Sequence, residues 1–149
     1  MQTFYMTDAG KVRTHNEDSV IIVGNKNNEF ILAVADGMGG HKAGEVASNI
    51  AIEHVRDSFE ELETLGKKED AIDYLRRIVK EINEKIFSYT KNHPESKGMG
   101  TTLVIAIKTN DYILYGNIGD SSGYVMKNGL LHKITKDHTL VNLLVSTGE

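Results

Sequence analysis

The hydrophobic pattern of the chain changes from a strand period to a helix period and back again, and this order restricts the folds that it can adopt. Residues 19–36 form two apolar runs around the turn-forming segment 25–28, which predicts a β-hairpin. The weakly alternating stretch at 2–11 predicts a further short strand that ends in a turn from Asp8 to Gly10. The first part of the chain is therefore expected to be β-structure.

Two amphipathic helices are predicted in the middle of the chain, where apolar residues recur every three or four positions. A segment with Gly66 and two lysines separates them. The first helix carries this pattern at Ala47, Ile50, Ala51, His54 and Val55, and the second carries it at Ile72, Leu75, Val79, Ile82 and Ile86.

Strand periodicity returns after Pro94, in four apolar runs at 101–109, 112–120, 123–127 and 130–135. Asn128-Gly129 separates the last two runs and is a strong hairpin signal, because a type I′ turn needs positive φ at both central residues. A short helical run is predicted from Leu140 to Val145. Since hairpin-joined strands with grouped helices indicate antiparallel pairing, we predict an α+β fold with a mostly antiparallel sheet.

Composition narrows both the organisation and the function of the chain. A single domain is expected over residues 1–149, because 40% of the residues are hydrophobic and no linker-like stretch divides them. The apolar runs are far shorter than the roughly 20 residues of a membrane span, and the N-terminus lacks a signal pattern, so we expect a cytoplasmic protein without a membrane partner. The net charge of −4 disfavours nucleic-acid binding. The absence of cysteine excludes disulfides, thiolate metal sites and cysteine nucleophiles.

The glycine-rich segment DGMGGHKAG at 36–44 joins a predicted strand to a predicted helix, a position where backbone N–H groups often bind phosphate. A Walker loop would need Lys and then Ser or Thr after its last glycine, and that pair is absent after Gly44. The dinucleotide pattern fails as well, because Lys42 stands where its last glycine belongs. Asp36 at the entrance would repel a bare phosphate, which indicates that a cation lies between the two.

Four acidic residues stand at the ends of predicted strands: Glu17, Asp18, Asp36 and Asp120. A sheet can direct several such carboxylates to one point, and Mg²⁺ and Mn²⁺ prefer oxygen ligands. The alternative is that these are turn acids whose side chains bind nearby backbone N–H groups. Spacing alone leaves both interpretations open.

Five sequence blocks together resemble the metal-dependent Ser/Thr protein phosphatases of the type 2C class, and among them the bacterial members. The blocks are GKVRTHNED at 10–18, VADGMGG at 34–40, GMGTTLV at 98–104, GNIGDSS at 116–122 and ITKDHTLVNLLVSTGE at 134–149. The resemblance covers essentially the whole chain. It implies a β-sandwich flanked by helices in α-β-β-α layers. It also implies hydrolysis of phosphoserine and phosphothreonine in proteins, by a water activated at a binuclear Mn²⁺ or Mg²⁺ centre.

The resemblance also implies metal-binding roles for the acids of this chain. Asp36 matches the aspartate that bridges two Mn²⁺ or Mg²⁺ ions, and Gly37 matches the residue whose carbonyl oxygen ligates one of them. Glu17 and Asp18 match the acidic pair that lines the same cluster, chiefly by holding metal-bound waters. Asp120 matches an acid of a third, weaker metal site in bacterial members.

Substrate binding is implied for Arg13, which matches the arginine that takes the substrate phosphate; a guanidinium can bind two phosphate oxygens at once. The implied partners are phosphorylated proteins, the substrates of a Ser/Thr kinase. Met38 stands where animal members often have a histidine thought to protonate the leaving group. A thioether cannot donate that proton, so His41 and a metal-bound water are the alternatives. Ser122 replaces an arginine that often follows the G-D-S block.

The end of the sequence departs from the family pattern, because family domains continue past the Gly-Glu pair at 148–149 into a flap and two further metal-binding aspartates. We therefore expect an incomplete domain that is truncated at its C-terminus, has little activity as the 149-residue chain alone and self-associates through uncovered apolar surface. The alternative function is a non-catalytic regulatory or binding module with a phosphatase-like fold. A nucleotide-binding α/β domain, suggested only by the glycine-rich segment, is the third interpretation.

Overall fold

The computed structural model describes residues 1–40 and 42–138. These two ranges contain seven β-strands, two α-helices and one short 3-10 helix. In chain order they are β1 (Asp18–Gly24), β2 (Phe30–Met38), α1 (Ala43–Glu60), α2 (Lys68–Asn92), the 3-10 helix (Pro94–Ser96), β3 (Gly100–Thr101), β4 (Leu103–Lys108), β5 (Ile113–Ile118), β6 (Tyr124–Lys127) and β7 (Leu130–Lys133). The predicted order of strands, helices and strands is confirmed.

Strand β2 is the centre of the main sheet. It pairs with β1 on one side and with β4 and β3 on the other, and β5 then pairs with β4, all antiparallel. β3 extends the pairing of β2, so Gly37 lies opposite Thr101 and Met38 opposite Gly100. Asp36 consequently lies inside β2, whereas the sequence pattern had predicted it at the end of the strand. The α+β class with an antiparallel sheet is confirmed.

The turn between β1 and β2 is fixed by the buried carboxylate of Glu29. This carboxylate accepts hydrogen bonds from the Asn25 side-chain amide at 2.6 Å, the Leu65 backbone N–H at 2.8 Å and the Thr64 hydroxyl at 3.2 Å. A buried carboxylate needs such partners, because burial without hydrogen bonds is costly. Glu29 therefore joins the β-hairpin to the connection between α1 and α2.

Both helices pack on one face of the sheet. Because side chains alternate along a strand, β2 directs Ile31, Ala33 and Ala35 into the core under the helices and leaves Val34 exposed on the opposite face. From α1, Val55 and Phe59 are fully buried against this face. The expected α1 stripe is confirmed at Ala47, Ala51 and Val55, which are buried, whereas Ile50 and His54 are half-buried.

The buried side of α2 is displaced from the predicted one. Its buried residues are Ala71, Tyr74, Ile78 and Ile82. The predicted members Leu75, Val79 and Ile86 are partly buried at its margins, and Ile72 is exposed. Tyr74 meets Phe59 of α1 edge to face, with ring centroids 6.1 Å apart. Tyr74 thus lies in the contact between the helices. A search for recurring aliphatic residues misses Tyr74 because it is aromatic, and it misses Ala71 because it is small.

Strands β6 and β7 form a separate two-stranded hairpin. Its turn confirms the Asn-Gly prediction, since Asn128 has φ 53° and Gly129 has φ 76°. At its base, the Gly123 N–H donates to the Thr135 hydroxyl at 3.0 Å. The apolar residues of this hairpin are exposed: Tyr124, Val125, Met126, Leu130 and Leu131.

The strand expected at 2–11 is not formed. Phe4 and Met6 are exposed, and this stretch pairs with no strand in the described part of the chain, so its backbone has no ladder to join. The turn that follows is present, because the Asp8 carboxylate accepts a 2.7 Å hydrogen bond from the Gly10 N–H. The helical run predicted at 140–145 lies outside the described residues. No helix in the described ranges is both long and apolar enough to cross a bilayer.

Candidate metal centre

Two acids predicted to bind metal are brought face to face by the strand register. Asp18 at the start of β1 pairs directly with Asp36 in β2, and opposite residues of an antiparallel pair project from the same face of the sheet. The Asp18 N–H donates to the Asn16 side-chain oxygen at 3.1 Å, which fixes the entry of the chain into β1. Two carboxylates therefore share one place at the end of the hairpin away from its turn.

The electrostatic environment of Asp36 shows which groups surround it. Loss of part of its water shell raises the pKa of the Asp36 carboxyl above its ordinary value, and the charge of Asp18 and a hydrogen bond with that residue raise it further. The charge of Asp120 acts in the same direction, whereas the positive charge of Arg13 lowers the pKa. Asp18, Asp120 and Arg13 therefore all lie within electrostatic range of Asp36, although Asp120 is about a hundred residues away in sequence from the segment that carries Arg13 and Asp18.

The glycines of the segment 36–44 serve close packing. A Cβ on Gly37 would overlap the backbone carbonyl of Gly44 in the first turn of α1, and a Cβ on Gly44 would lie 2.8 Å from the Glu17 carboxyl carbon. The Gly37 N–H also donates to the Glu17 carbonyl at 3.0 Å. Glu17 is thus placed against the start of α1, whereas the structure brings Asp18 to Asp36.

The backbone of Asp36 is held by two threonines that sequence reasoning did not single out. Its N–H donates to the Thr102 hydroxyl at 3.0 Å, and its carbonyl accepts from the Thr102 N–H at 2.9 Å and from the Thr101 hydroxyl at 3.1 Å. The Thr102 hydroxyl also lies 2.6 Å from that of Ser121, beside Asp120. Thr101 and Thr102 belong to the sequence block at 98–104, and Ser121 belongs to the block at 116–122. Membership of these blocks was the sequence signal that could have identified them.

The side chains at this place are of the chemical type that binds a hard divalent cation. Asp18 and Asp36 offer carboxylate oxygens at one place. Their mutual repulsion, which adds to the effect of partial burial in raising the pKa of Asp36, is what a bound cation would relieve. Within residues 1–40 and 42–138, however, no three Asp, Glu, His or Cys side chains are arranged as a metal-binding cluster. The site thus has suitable ligands in smaller number than a closed metal centre needs.

Three positions where the sequence departs from the family pattern, or could compensate for the departure, are Met38, Ser122 and His41. Met38 is exposed at the end of β2, Ser122 is exposed in the loop after β5, and His41 lies outside the described residues.

Comparison with known families gives one match that spans nearly the whole chain. The family model described as Protein phosphatase 2C matches residues 9–146. The serine/threonine phosphatase stp of Listeria monocytogenes is 42% identical over 149 residues, which are 100% of this chain and 59% of that protein. The serine/threonine protein phosphatase PstP of Mycobacterium tuberculosis is 39% identical over 145 residues, which cover 95% of this chain and 26% of that protein.

Solved structures give the same picture. Serine/threonine phosphatase Stp1 from Staphylococcus aureus superposes with a TM-score of 0.86 at 41% identity, over 96% of this chain and 56% of that one. The catalytic domain of PstP in complex with two manganese ions superposes with a TM-score of 0.77 at 39% identity, over 96% of this chain and 58% of that one. The chain therefore spans somewhat more than half of the domains that it resembles.

Proposed function

Because the chain belongs to the protein phosphatase 2C family, we propose that it serves the metal-dependent hydrolysis of phosphoserine and phosphothreonine in proteins. The observation that carries this proposal is the register of β1 and β2, which sets Asp18 against Asp36 within electrostatic range of Asp120 and Arg13. A cation-binding acidic group beside an arginine is the arrangement that a phosphate monoester needs. The non-catalytic alternative is not favoured, since the curated relatives are named as phosphatases.

The acids of the site would hold Mn²⁺ or Mg²⁺. Asp36 and the Gly37 carbonyl would be direct ligands of these ions, Glu17 and Asp18 would line the cluster, and Asp120 would serve a third ion. When bound, such ions supply an activated water and neutralise charge on the phosphoryl group. The PstP structure with two manganese ions supports the choice of metal.

Arg13 would bind the substrate phosphate. Its charge reaches Asp36, and its side chain is exposed, so it is accessible to a phosphorylated side chain arriving from solvent. A planar guanidinium can donate to two phosphate oxygens together, which orients the ester as well as attracting it. The proposed substrates are phosphorylated proteins; the kinase that produces them and the expected cytoplasmic location stay predictions.

Self-association of the 149-residue chain is part of the same proposal. The exposed apolar residues of the β6–β7 hairpin, together with Val34 and Tyr115 on the sheet face away from the helices, form apolar surface of the kind that promotes association. We expect two copies to cover this surface for each other.

The test is phosphate release from a phosphothreonine peptide and from p-nitrophenyl phosphate, with Mn²⁺ and with excess EDTA. Because the chain spans 59% of the Listeria phosphatase, it is assayed alone and as a fusion to the remaining C-terminal part of that protein. We expect Mn²⁺-dependent turnover by the fusion and turnover near background by the chain alone. A fusion that is folded and inactive with Mn²⁺, or equally active in EDTA, would contradict the proposed function.

A further inference from the structure

Thr102 links the strand that carries Asp36 to the loop that carries Asp120. Its side chain is 2% exposed, and its hydroxyl oxygen accepts the Asp36 N–H at 3.0 Å. The same hydroxyl lies 2.6 Å from the Ser121 hydroxyl. One buried side chain thus contacts both segments on which these acids stand.

The hydrogen bonds of Thr102 fit together in direction. Since its oxygen accepts from the Asp36 N–H, its own hydrogen is available to donate to the Ser121 oxygen. The Asp36 N–H needs this acceptor, because β3 and β4 are interrupted at Thr102 and the hydroxyl takes the place of a backbone carbonyl in the ladder. Removal of the hydroxyl would remove both of these contacts together, while the bond from the Thr102 N–H to the Asp36 carbonyl would remain.

The methyl group of Thr102 supports the same contact. Gly119, directly before Asp120, has φ +94°, and a Cβ at this position would lie only 2.6 Å from the Thr102 methyl carbon. The loop therefore approaches Thr102 as closely as a glycine allows. The Gly119 carbonyl of this loop also accepts hydrogen bonds from the Asn117 side chain and the His138 N–H. These two bonds connect the loop to segments other than β2.

We propose that Thr102 is a positioning residue that fixes Asp120 relative to Asp36 through its hydroxyl contacts with the Asp36 amide and Ser121. This inference rests on the proposed function, in which both acids bind divalent cations. It assigns Thr102 no contact with metal or substrate. Ser121 is the second half of the link, and it holds the loop without binding the Asp36 backbone.

Thr109 provides a matched control for loss of a buried threonine hydroxyl. It is 4% exposed, and its hydroxyl accepts the Tyr112 N–H at 3.0 Å and the Asp111 N–H at 3.2 Å at the turn between β4 and β5. A Thr109→Val substitution should destabilise the chain for the same reason as Thr102→Val. Thr109 is bonded to neither of the segments that carry Asp36 and Asp120.

The experiment follows two signals by nuclear magnetic resonance in the isotope-labelled 149-residue chain. Hydrogen exchange of the Asp36 amide reports its hydrogen bond without any metal. The ¹³C shifts of the Asp36 and Asp120 carboxyl carbons during a Mg²⁺ titration report each acid separately. The variants are Thr102→Val, Thr102→Ser, Ser121→Ala and Thr109→Val.

In Thr102→Val we expect Asp36 amide exchange to become about tenfold faster, and the Mg²⁺-induced shift of Asp120 to fall at least by half at the same Mg²⁺ concentration. Thr102→Ser should restore slow exchange, because it keeps the hydroxyl. Ser121→Ala should weaken only the Asp120 response. Thr109→Val should lower thermal stability and change neither signal.

The proposal is overturned if Thr102→Val behaves like Thr109→Val, or if the Asp120 response to Mg²⁺ is the same in Thr102→Val and the unmodified chain. In either case a Mg²⁺ response at Asp36 of the unmodified chain would leave the proposed function intact. If neither carboxyl of the unmodified chain responds to Mg²⁺, the positioning role fails, and Mn²⁺-dependent turnover by the fusion decides the proposed function separately.

Discussion

Asp18 and Asp36 stand directly opposite each other across β1 and β2, so that two carboxylates of like charge meet at one place on the sheet. Pairing of like charges across an antiparallel ladder is unfavourable without a counter-ion. Partial burial raises the pKa of the Asp36 carboxyl, and the charge of Asp18 raises it further. A protein with such a pair is expected to be less stable without metal, because the same two carboxylates that repel each other can bind a cation.

Asp36→Asn should therefore have opposite effects on stability and on activity. Because the folded pKa of Asp36 is raised, its favourable contribution to stability is complete below the ordinary Asp pKa of about 3.9 and is lost as the pH rises through the folded value. At pH 7 without metal, thermal melts should thus show a higher Tm for Asp36→Asn, with the difference disappearing near pH 3. In the fusion with Mn²⁺, turnover should fall at least about a hundredfold.

Asp57→Asn is the matched control, since it removes the same charge from an exposed position near the far end of α1. It should leave turnover unchanged. A Tm at pH 7 that falls in Asp36→Asn would show that the two carboxylates are not in repulsion.

Arg13→Ala should raise KM for p-nitrophenyl phosphate more than it lowers kcat, because a phosphate contact of similar strength in the ground and transition states contributes mainly to binding. Arg13→Lys should recover only part of this loss, since an ammonium lacks the two-pronged geometry of a guanidinium. Arg76→Ala, at an exposed position on α2, is the control for loss of a positive charge. Steady-state kinetics of the fusion that are the same in all three variants would place Arg13 outside the substrate site.

Gly44→Ala should destabilise the chain although alanine favours helices. The added Cβ would meet the Glu17 carboxyl group at 2.8 Å and the Gly37 backbone at 2.9 Å, and such overpacking typically costs about 1–3 kcal/mol. Gly116→Ala is the control, because its nearest neighbour would be a Leu75 methyl group at 3.7 Å, an ordinary contact. Urea unfolding compares the two, and equal midpoints would show that β2 and α1 can separate at little cost.

Light scattering should show self-association of the 149-residue chain, and calorimetric titration should show weak Mn²⁺ binding. Met126 and Leu131 are opposite each other in the β6–β7 hairpin and are exposed. The double variant Met126→Glu with Leu131→Lys keeps a favourable cross-strand pair while removing apolar surface, so it should shift the chain towards monomer. A monodisperse unmodified monomer that binds two Mn²⁺ tightly would contradict both expectations.

The order of elements was predictable from the sequence because it depends on local periodicity and turn chemistry. Asn128-Gly129 adopts the positive φ values that its turn type requires, and the helical spacing located α1 and α2. The buried stripe of α2 was displaced because Tyr74 and Ala71 pack against neighbours that only the tertiary fold supplies.

The sequence names residues for the candidate site, and it does not give their geometry. Motif resemblance named Asp18 and Asp36, but their pairing depends on register, which is set by the whole hairpin. The contribution of Thr102 could not be read from periodicity, because it arises from a hydrogen bond between residues 66 positions apart. Glu29 was missed for the same reason, since its partners come from the connection between the helices.

The two-ended attachment of β2 has a consequence for insertions and deletions. Glu29 anchors the start of this strand to the α1–α2 connection, and Thr102 anchors Asp36 near its end. One added residue between these anchors would turn Asp36 towards the helices and Ala35 towards solvent, because side chains alternate along a strand. Within residues 1–40 and 42–138, nothing lies within 4 Å of a Cβ on Gly129, so the tip at Asn128-Gly129 has no comparable contact there. Insertions and deletions should therefore accumulate at this tip in related sequences, while the number of residues between Glu29 and Asp36 stays constant.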